Sequence, residues 1–366
     1  MTIESRVLMV ILNLEVGGLE RIVVDLATGM AKQGAKVGVV TLRHGGPLVE
    51  QMQAHDIEVT ELGLEDGIRL RNVGELRRHI RAFNPDILHS HGEAALFYST
   101  LAKFSGLRFR HVHTRHGYED VSSRGRIRNR LSFVGCDAVA CVSSDLAAHC
   151  ETTEGVSASK LFTIVNGVDL APYKQLKTID YVPMAPVIGH VARLAEVKNQ
   201  RLLLDAFAIV RKRLRAAQLD IVGDGPMRPT LEAHAKALNL GNSVRFHGET
   251  DEVPKKLAAC HFFCLSSDSE GTPVSVLEAM AAGRPVVATE VGGLASIISK
   301  ETGVLCEPGN AKILAEGMFT VYAAADTYHQ YSAAARASAA TAQDLTSMMS
   351  AYLSIYFPES TAKRTA

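Results

Sequence analysis

Short apolar runs alternate with longer amphipathic segments along nearly the whole chain, in two successive series. The first comprises Val7–Leu12, Lys36–Thr41, Glu58–Leu62, Ile87–His89, His111–Thr114, Ala138–Val142 and Phe162–Val165, with helical segments such as Gly18–Gln33 and Val73–Phe83 between them. The second comprises Val187–Val191, Leu219–Val222, Val244–Phe246, Phe262–Leu265, Val286–Ala288 and Val304–Cys306. Strands of this kind are buried on both faces and need crossover helices, so each series predicts a parallel, doubly wound α/β sheet. Between the series, residues 166–186 carry Asn166-Gly167, Pro172, Pro183 and Pro186 without periodicity. That composition predicts a join between domains. The expected organisation is a first domain over residues 1–170, a linker over 171–186 and a second domain over 187–343. Leu345, Met348, Met349, Tyr352, Leu353 and Tyr356 recur at helical spacing, so a further helix over about 344–358 should dock on the fold. Two doubly wound domains place a ligand at strand C-termini, in a cleft.

Composition narrows the class. With 366 residues and 47% hydrophobic content, the chain can bury two cores. The 39 basic and 39 acidic residues cancel, whereas a chain built to hold nucleic acid carries a basic excess, so no nucleic-acid partner is expected. The cysteines, Cys136, Cys141, Cys150, Cys260, Cys264 and Cys306, form no Cys-x-x-Cys pair and read as free, buried thiols. Val7–Leu12 is followed by Asn13 and Glu15, which reads as a first strand, not a signal peptide. No stretch approaches the ~20 apolar residues of a membrane span, so a cytoplasmic protein with at most peripheral membrane contact is expected.

The densest chemistry lies between Glu270 and Glu278. The stretch Glu270-Gly271-Thr272-Pro273-Val274-Ser275-Val276-Leu277-Glu278 reads as a loop turning into a helix, with Thr272 as cap and Pro273 at the first helical position. Free N–H groups at a helix start attract an anion, and the flanking carboxylates accept hydrogen bonds from hydroxyls. Phosphate together with hydroxyls suggests a nucleotide sugar. Arg193 and Lys198 follow the strand Val187–Val191. They read either as solvated charges at a helix start or as fixed cations for a diphosphate, the task a metal performs elsewhere. Gly17 and Gly18, between the first strand and first helix, permit close approach of backbone to phosphate or sugar. The pattern lacks Gly-x-Gly-x-x-Gly, which argues against a nicotinamide-dependent oxidoreductase. His89, His91, His113 and His116 suffice for a metal site by count, but no carboxylate or cysteine stands at matching spacing, and no metal is expected.

These pieces in this order resemble the retaining glycosyltransferases of family GT4, which have the GT-B fold. The resemblance covers nearly the whole chain: Gly17-Gly18, His89-Ser90-His91-Gly92, His116, Val142-Ser143-Ser144, Asn166-Gly167-Val168-Asp169, Arg193 with Lys198, Val222-Gly223-Asp224-Gly225-Pro226, Val244-Arg245-Phe246-His247-Gly248 and the Glu-x7-Glu segment. It implies two Rossmann-like domains facing each other across a cleft, the first binding acceptor and the second donor, with the C-terminal helix crossing back to the first. It implies a UDP- or GDP-linked sugar as substrate and no cofactor. Arg193 and Lys198 would bind the diphosphate, Glu278 the ribose hydroxyls and Glu270 the hydroxyls of the transferred sugar. Backbone at Gly271, Thr272, Pro273 and Val274 would contact sugar and phosphate, and backbone at Glu249 and Thr250 the base. Gly18, beside Gly17, would approach the phosphate, and His116 would lie over the sugar near the anomeric carbon. The family usually has glycine after its lysine, where this chain has Asn199.

Both glutamates are thereby committed to hydroxyls, which leaves no nucleophile for double displacement. The reading is front-face attack through an oxocarbenium-like state, with the departing phosphate accepting the acceptor's proton. For the acceptor the chain offers arginines: Arg108, Arg110, Arg115, Arg124, Arg126, Arg128 and Arg130, with Arg69, Arg71, Arg77, Arg78 and Arg81 upstream. They read as a solvated helix face or as a patch, centred on Arg124, Arg126 and Arg128, for anionic lipid or a lipid-linked acceptor. Family habit points to a glycan or lipid-linked acceptor in cell-surface polysaccharide or glycolipid synthesis, at the inner face of the cytoplasmic membrane. The rival readings are a non-catalytic partner subunit and a nucleotide-sugar epimerase.

Overall fold

The computed structural model describes residues 5–65, 69–118, 123–177, 179, 185–322, 325–342 and 344–358. The chain divides into two compact units, one of residues 1–166 with 345–366 and one of residues 167–344.

The first unit holds seven strands, β1 (Arg6–Ile11), β2 (Lys36–Thr41), β3 (Glu58–Glu61), β4 (Ile87–His91), β5 (Arg110–Arg115), β6 (Ala138–Cys141) and β7 (Leu161–Thr163). All are parallel, in the order β3-β2-β1-β4-β5-β6-β7. β1 is buried from Val7 to Ile11, as a parallel strand covered by helices on both faces must be. The second unit repeats the architecture with β8 (Val187–Val191), β9 (Gln218–Val222), β10 (Val244–Gly248), β11 (Phe262–Leu265), β12 (Val286–Thr289) and β13 (Gly303–Cys306), ordered β10-β9-β8-β11-β12-β13. Each sheet is therefore a Rossmann-like, doubly wound layer, and every expected strand is present.

The segment after Asn166 departs from the linker expected over 171–186. Ala171–Lys174 is a short helix of the second unit, opened by Asp169 Oδ1 accepting from Ala171 N at 2.9 Å, and its Tyr173 is buried. Residues 178 and 180–184 of that linker lie outside the described ones.

The C-terminal helix, Leu345–Tyr356, belongs to the first unit and packs against β5 and the helix Gly18–Lys32. Gly29 makes room for it, since a Cβ there would lie 2.4 Å from Met349 Sδ. Polar groups fix its register. Arg110 Nε donates to the Ile355 carbonyl at 2.8 Å, the Tyr352 hydroxyl meets Thr114 Oγ1 at 3.0 Å, and the Tyr356 hydroxyl meets His89 Nδ1 at 2.6 Å.

His89 belongs to a set of buried histidines on β4 and β5. His89 Nε2 bonds Thr114 Oγ1 at 2.6 Å, and Ser90 Oγ bridges His111 Nε2 at 2.9 Å and His113 Nδ1 at 3.0 Å. Burial disfavours the imidazolium and lowers the pKa of His89, His91, His111 and His113, reaching about 3 for His111. The unfolded chain takes up these protons near pH 6.5, while the folded unit does so only far lower. Their stabilising share is therefore intact above about pH 6.5 and declines as pH falls toward 3, by about 1.4 kcal/mol per pH unit for each histidine held neutral. Urea midpoints should accordingly be markedly lower at about pH 5 than at about pH 7.5. Equal midpoints would show that these histidines are not held neutral.

Candidate functional site

In the second unit the strand order reverses between β8 and β11. Connections leaving these neighbours run in opposite directions along the sheet edge, which opens a crevice at their C-terminal ends. Arg193 and Lys198 lie on the loop after β8, and Glu270 to Pro273 on the loop after β11.

The two loops are stitched together. Asp268 N donates to the Val197 carbonyl at 2.9 Å, Ser266 Oγ to the Lys198 carbonyl at 3.0 Å, and Asn199 Nδ2 to Asp268 Oδ1 at 2.8 Å. Between them, Lys198 Nζ donates to Glu270 Oε1 at 2.6 Å, and Ser267 Oγ donates to the same oxygen at 2.6 Å. Glu270 is buried, with its side chain 6% exposed against 23% for Lys198. A buried carboxylate requires such partners, and an ammonium with three N–H groups can keep this one while reaching a second anion. Arg193 is exposed, with no side-chain hydrogen bond or ion pair among the described residues. Lys198 and Glu270, which the resemblance directs to separate parts of a ligand, are thus paired with each other.

Asn199 has φ 43° and ψ 47°, and its side chain accepts from Leu202 N at 3.2 Å, capping the helix Gln200–Arg213. Left-handed backbone suits glycine or asparagine, which accounts for Asn199 where the family commonly has glycine. Gln200 anchors the loop from below. Its buried Nε2 donates to the Arg193 carbonyl at 2.9 Å and to His190 Nε2 at 3.3 Å, while His190 Nδ1 donates to the Cys264 carbonyl at 2.9 Å. Burial holds the His190 pKa down at about 4, so Nε2 stays an acceptor. From the side, Leu194 N donates to the Asp224 carbonyl at 2.8 Å. Gly225, at φ +155°, tolerates this contact because it lacks a Cβ, which would lie 2.4 Å from the Leu194 carbonyl oxygen.

The helix after Glu270 runs Val274–Ala281. Its N-cap is Pro273, which has no side-chain acceptor, so the expected cap at Thr272 and helical position at Pro273 are each displaced by one residue. Proline's fixed φ, here −70°, serves an extended N-cap with ψ 120° equally well. Val276 N donates to the Pro273 carbonyl at 3.1 Å, which leaves the N–H groups of Val274 and Ser275 without an intrahelical acceptor. Glu278 lies in the second turn and accepts from the Tyr173 hydroxyl at 3.0 Å through Oε1. Thr250 is partly buried, and its Oγ1 accepts from Glu252 N at 3.1 Å just before the helix Val253–Ala259.

In the first unit, Gly17 is the N-cap of the helix Gly18–Lys32, in extended backbone that any residue adopts, and a Cβ there would meet only the flexible Glu20 carboxylate. His116 follows β5 and shares a hydrogen bond between its Nε2 and His91 Nδ1 at 2.9 Å, and burial followed by the neighbouring Arg115 charge brings its pKa down to about 3. Among the described residues no three histidine, cysteine or acidic side chains converge as ligands for a metal ion. Arg128 pairs with Glu93 at 3.2 Å and stacks over Phe97, so its charge has a partner inside the unit. The side chains of Arg124 and Arg126 lie outside those described.

His190, Gln200, Ser267 and Tyr173 were not among the expected site residues. The one sequence signal was His190, a titratable group inside an otherwise apolar strand. The others serve through contacts that only the folded chain makes.

Two doubly wound units, the second with two cations and a buried carboxylate beside its switch point, place candidate binding groups where sheets of this kind take ligands. The family model of glycosyl transferases group 1 matches residues 179–338, and that of glycosyltransferase family 4 matches residues 16–172. The chain is 26% identical over 310 residues to an uncharacterized glycosyltransferase of Haemophilus influenzae, covering 82% of this chain and 86% of that one. It is 32% identical over 248 residues to N-acetyl-alpha-D-glucosaminyl L-malate synthase of Bacillus anthracis, 64% of each chain. Its fold superimposes on Anabaena HepE, solved in complex with UDP, with TM-score 0.82 at 23% identity over 95% of this chain and 98% of the other. The chain belongs to glycosyltransferase family 4 and has the GT-B fold.

Replacing Gln200 with leucine strands the Arg193 carbonyl and His190 Nε2, and should lower the unfolding free energy of the second unit by about 1–3 kcal/mol. Urea denaturation measures it; an unchanged midpoint would show that the glutamine does not hold the loop.

Proposed function

We propose that this glycosyltransferase moves a hexose-type sugar, with retention of anomeric configuration, from a UDP- or GDP-linked donor to a glycan or lipid-linked acceptor in cell-surface polysaccharide or glycolipid synthesis. The observation that carries the reading is the Lys198–Glu270 pair at the reversal of strand order, with exposed Arg193 on the same loop. In this reading Arg193 and Lys198 neutralise the diphosphate without a metal ion, and Lys198 keeps Glu270 oriented while doing so. Glu270 holds hydroxyls of the transferred sugar and Glu278 those of the ribose. Backbone at Gly271, Thr272, Pro273 and Val274 lines sugar and phosphate, and Thr250 the base. Gly17, Gly18 and His116 keep the roles that the family resemblance gives them. Support comes from relatives: HepE was solved with UDP and with UDP-glucose, and other relatives are named for transfer to malate and to phosphatidylinositol.

The chemistry follows from the commitments of the carboxylates. With Glu270 and Glu278 holding hydroxyls, neither attacks the anomeric carbon. The acceptor hydroxyl attacks from the face the diphosphate leaves, its proton passes to the departing phosphate oxygen, and Arg193, Lys198 and the helix start stabilise the leaving charge.

An exposed apolar stripe on a helix whose sequence is rich in arginine supports a peripheral place on anionic membrane at the cytoplasmic face. No helix among the described residues is long and apolar enough to cross a membrane. The helix Ser123–Val134 exposes Ile127, Leu131 and Val134 along one stripe, at 63%, 63% and 64%, with Arg124, Arg126 and Arg130 in the same helix.

Two measurements test these readings. A screen of UDP-, GDP- and ADP-sugars for donor hydrolysis finds the best donor, on which Arg193→Ala with Lys198→Ala should lower turnover by about a hundredfold or more. Turnover within about threefold of wild type would sink the proposed role of the cations. The protein should sediment with anionic but not with neutral vesicles, and Ile127→Ser with Leu131→Ser should abolish this; equal sedimentation with both vesicle types refutes the membrane reading.

A further inference from the structure

Tyr173 has no role in the reading above. Its ring is buried, 4% exposed, in the helix Ala171–Lys174, yet its hydroxyl reaches 105 residues along the chain to donate to Glu278 Oε1 at 3.0 Å. The short helix is placed for this by several contacts. Asp169 Oδ1 accepts from Ala171 N, Tyr173 N donates to the Leu170 carbonyl at 3.0 Å, and Val168 bridges to Asp344 in parallel. The helix also packs directly on the one that carries Glu278.

We infer that Tyr173 is a positioning residue for donor binding, one that orients the Glu278 carboxylate so that it meets the ribose diol of the nucleotide. The inference rests on the reading that Glu278 grips the ribose. A glutamate side chain has three rotatable bonds, and ordering it at the moment of binding weakens the complex. A hydroxyl held by a buried ring removes that freedom beforehand. It occupies one acceptor site of Oε1, and a carboxylate has about four such sites, so a vicinal diol can still be accepted. Glu270 is treated in the same way, with Ser267 and Lys198 both on its Oε1. Each of the two carboxylates thus has an oxygen held by the protein.

Tyr173→Phe keeps the buried ring and removes only the hydroxyl. The probe is whichever of UDP, GDP and ADP the wild type binds most tightly by calorimetry, compared with its 2′,3′-dideoxy counterpart, which lacks the diol. The variant should bind the ribonucleotide about three- to tenfold more weakly and the dideoxy nucleotide with nearly unchanged affinity. With the best donor, KM should rise by a similar factor and kcat should stay close to wild type. Three results would overturn the inference in different ways. If the wild type binds both nucleotides equally, the ribose role of Glu278 falls and the inference with it. If the wild type discriminates and the variant binds like wild type, only the positioning role falls. If the variant loses the same factor for both nucleotides, Tyr173 acts on the fold of the unit and not on the diol.

Discussion

A carboxylate buried at the reversal of strand order is the constraint around which the second unit is organised. Glu270 leaves the sheet where the connections of β8 and β11 part, and an isolated charge there would be strongly disfavoured. Lys198 and Ser267 both satisfy it, and that ties the two loops into one body. The Lys198 end is secured in turn by Asn199 in left-handed backbone, and the Arg193 end by Gln200 and neutral His190. The Lys198 ammonium is consequently held at the mouth of a parallel sheet, beside the carboxylate it satisfies. Groups fixed in advance need little reorganisation when charge develops, which is the physical basis of electrostatic catalysis.

Buried polar side chains recur in both units, and in each they specify position. In the first unit, Tyr352 and Tyr356 bring the C-terminal helix onto Thr114 and His89, so a helix distant in sequence completes the unit that begins the chain. Apolar packing alone would let such a helix slide by a turn at modest cost, whereas an unpaired buried hydroxyl or imidazole would not. The same economy of contacts keeps the histidines of β4 and β5 neutral, because a proton would need solvation that the sheet does not provide.

The layers and their strands were legible in the sequence because parallel strands are apolar on both faces, and a run such as Val187–Val191 leaves little alternative. Arg193 and Lys198 were legible as candidates because they follow an apolar strand, and Glu270 and Glu278 because they bracket a loop turning into a helix. What the pattern misjudged were local matters settled by neighbours. Thr272 was expected to cap a helix that starts one residue later, at Val274. Arg128 was read as part of a solvated face or of a lipid patch, and the pattern did not show its ion pair with Glu93 of another helix. The segment at 171–174 was expected as linker, and became a helix because Tyr173 has a buried place and a carboxylate to meet.

The linear chain by itself determined the number of layers, the strands within them and the kinds of charged group at their ends, since periodicity and composition act over a few residues and survive in any context. Tertiary structure alone decided which of those groups face one another: Lys198 with Glu270 across 72 residues, Tyr173 with Glu278 across 105, and Tyr356 with His89 across 267. Such pairings depend on strand order, and strand order is set by how crossover helices pack, information that no local pattern of residues contains.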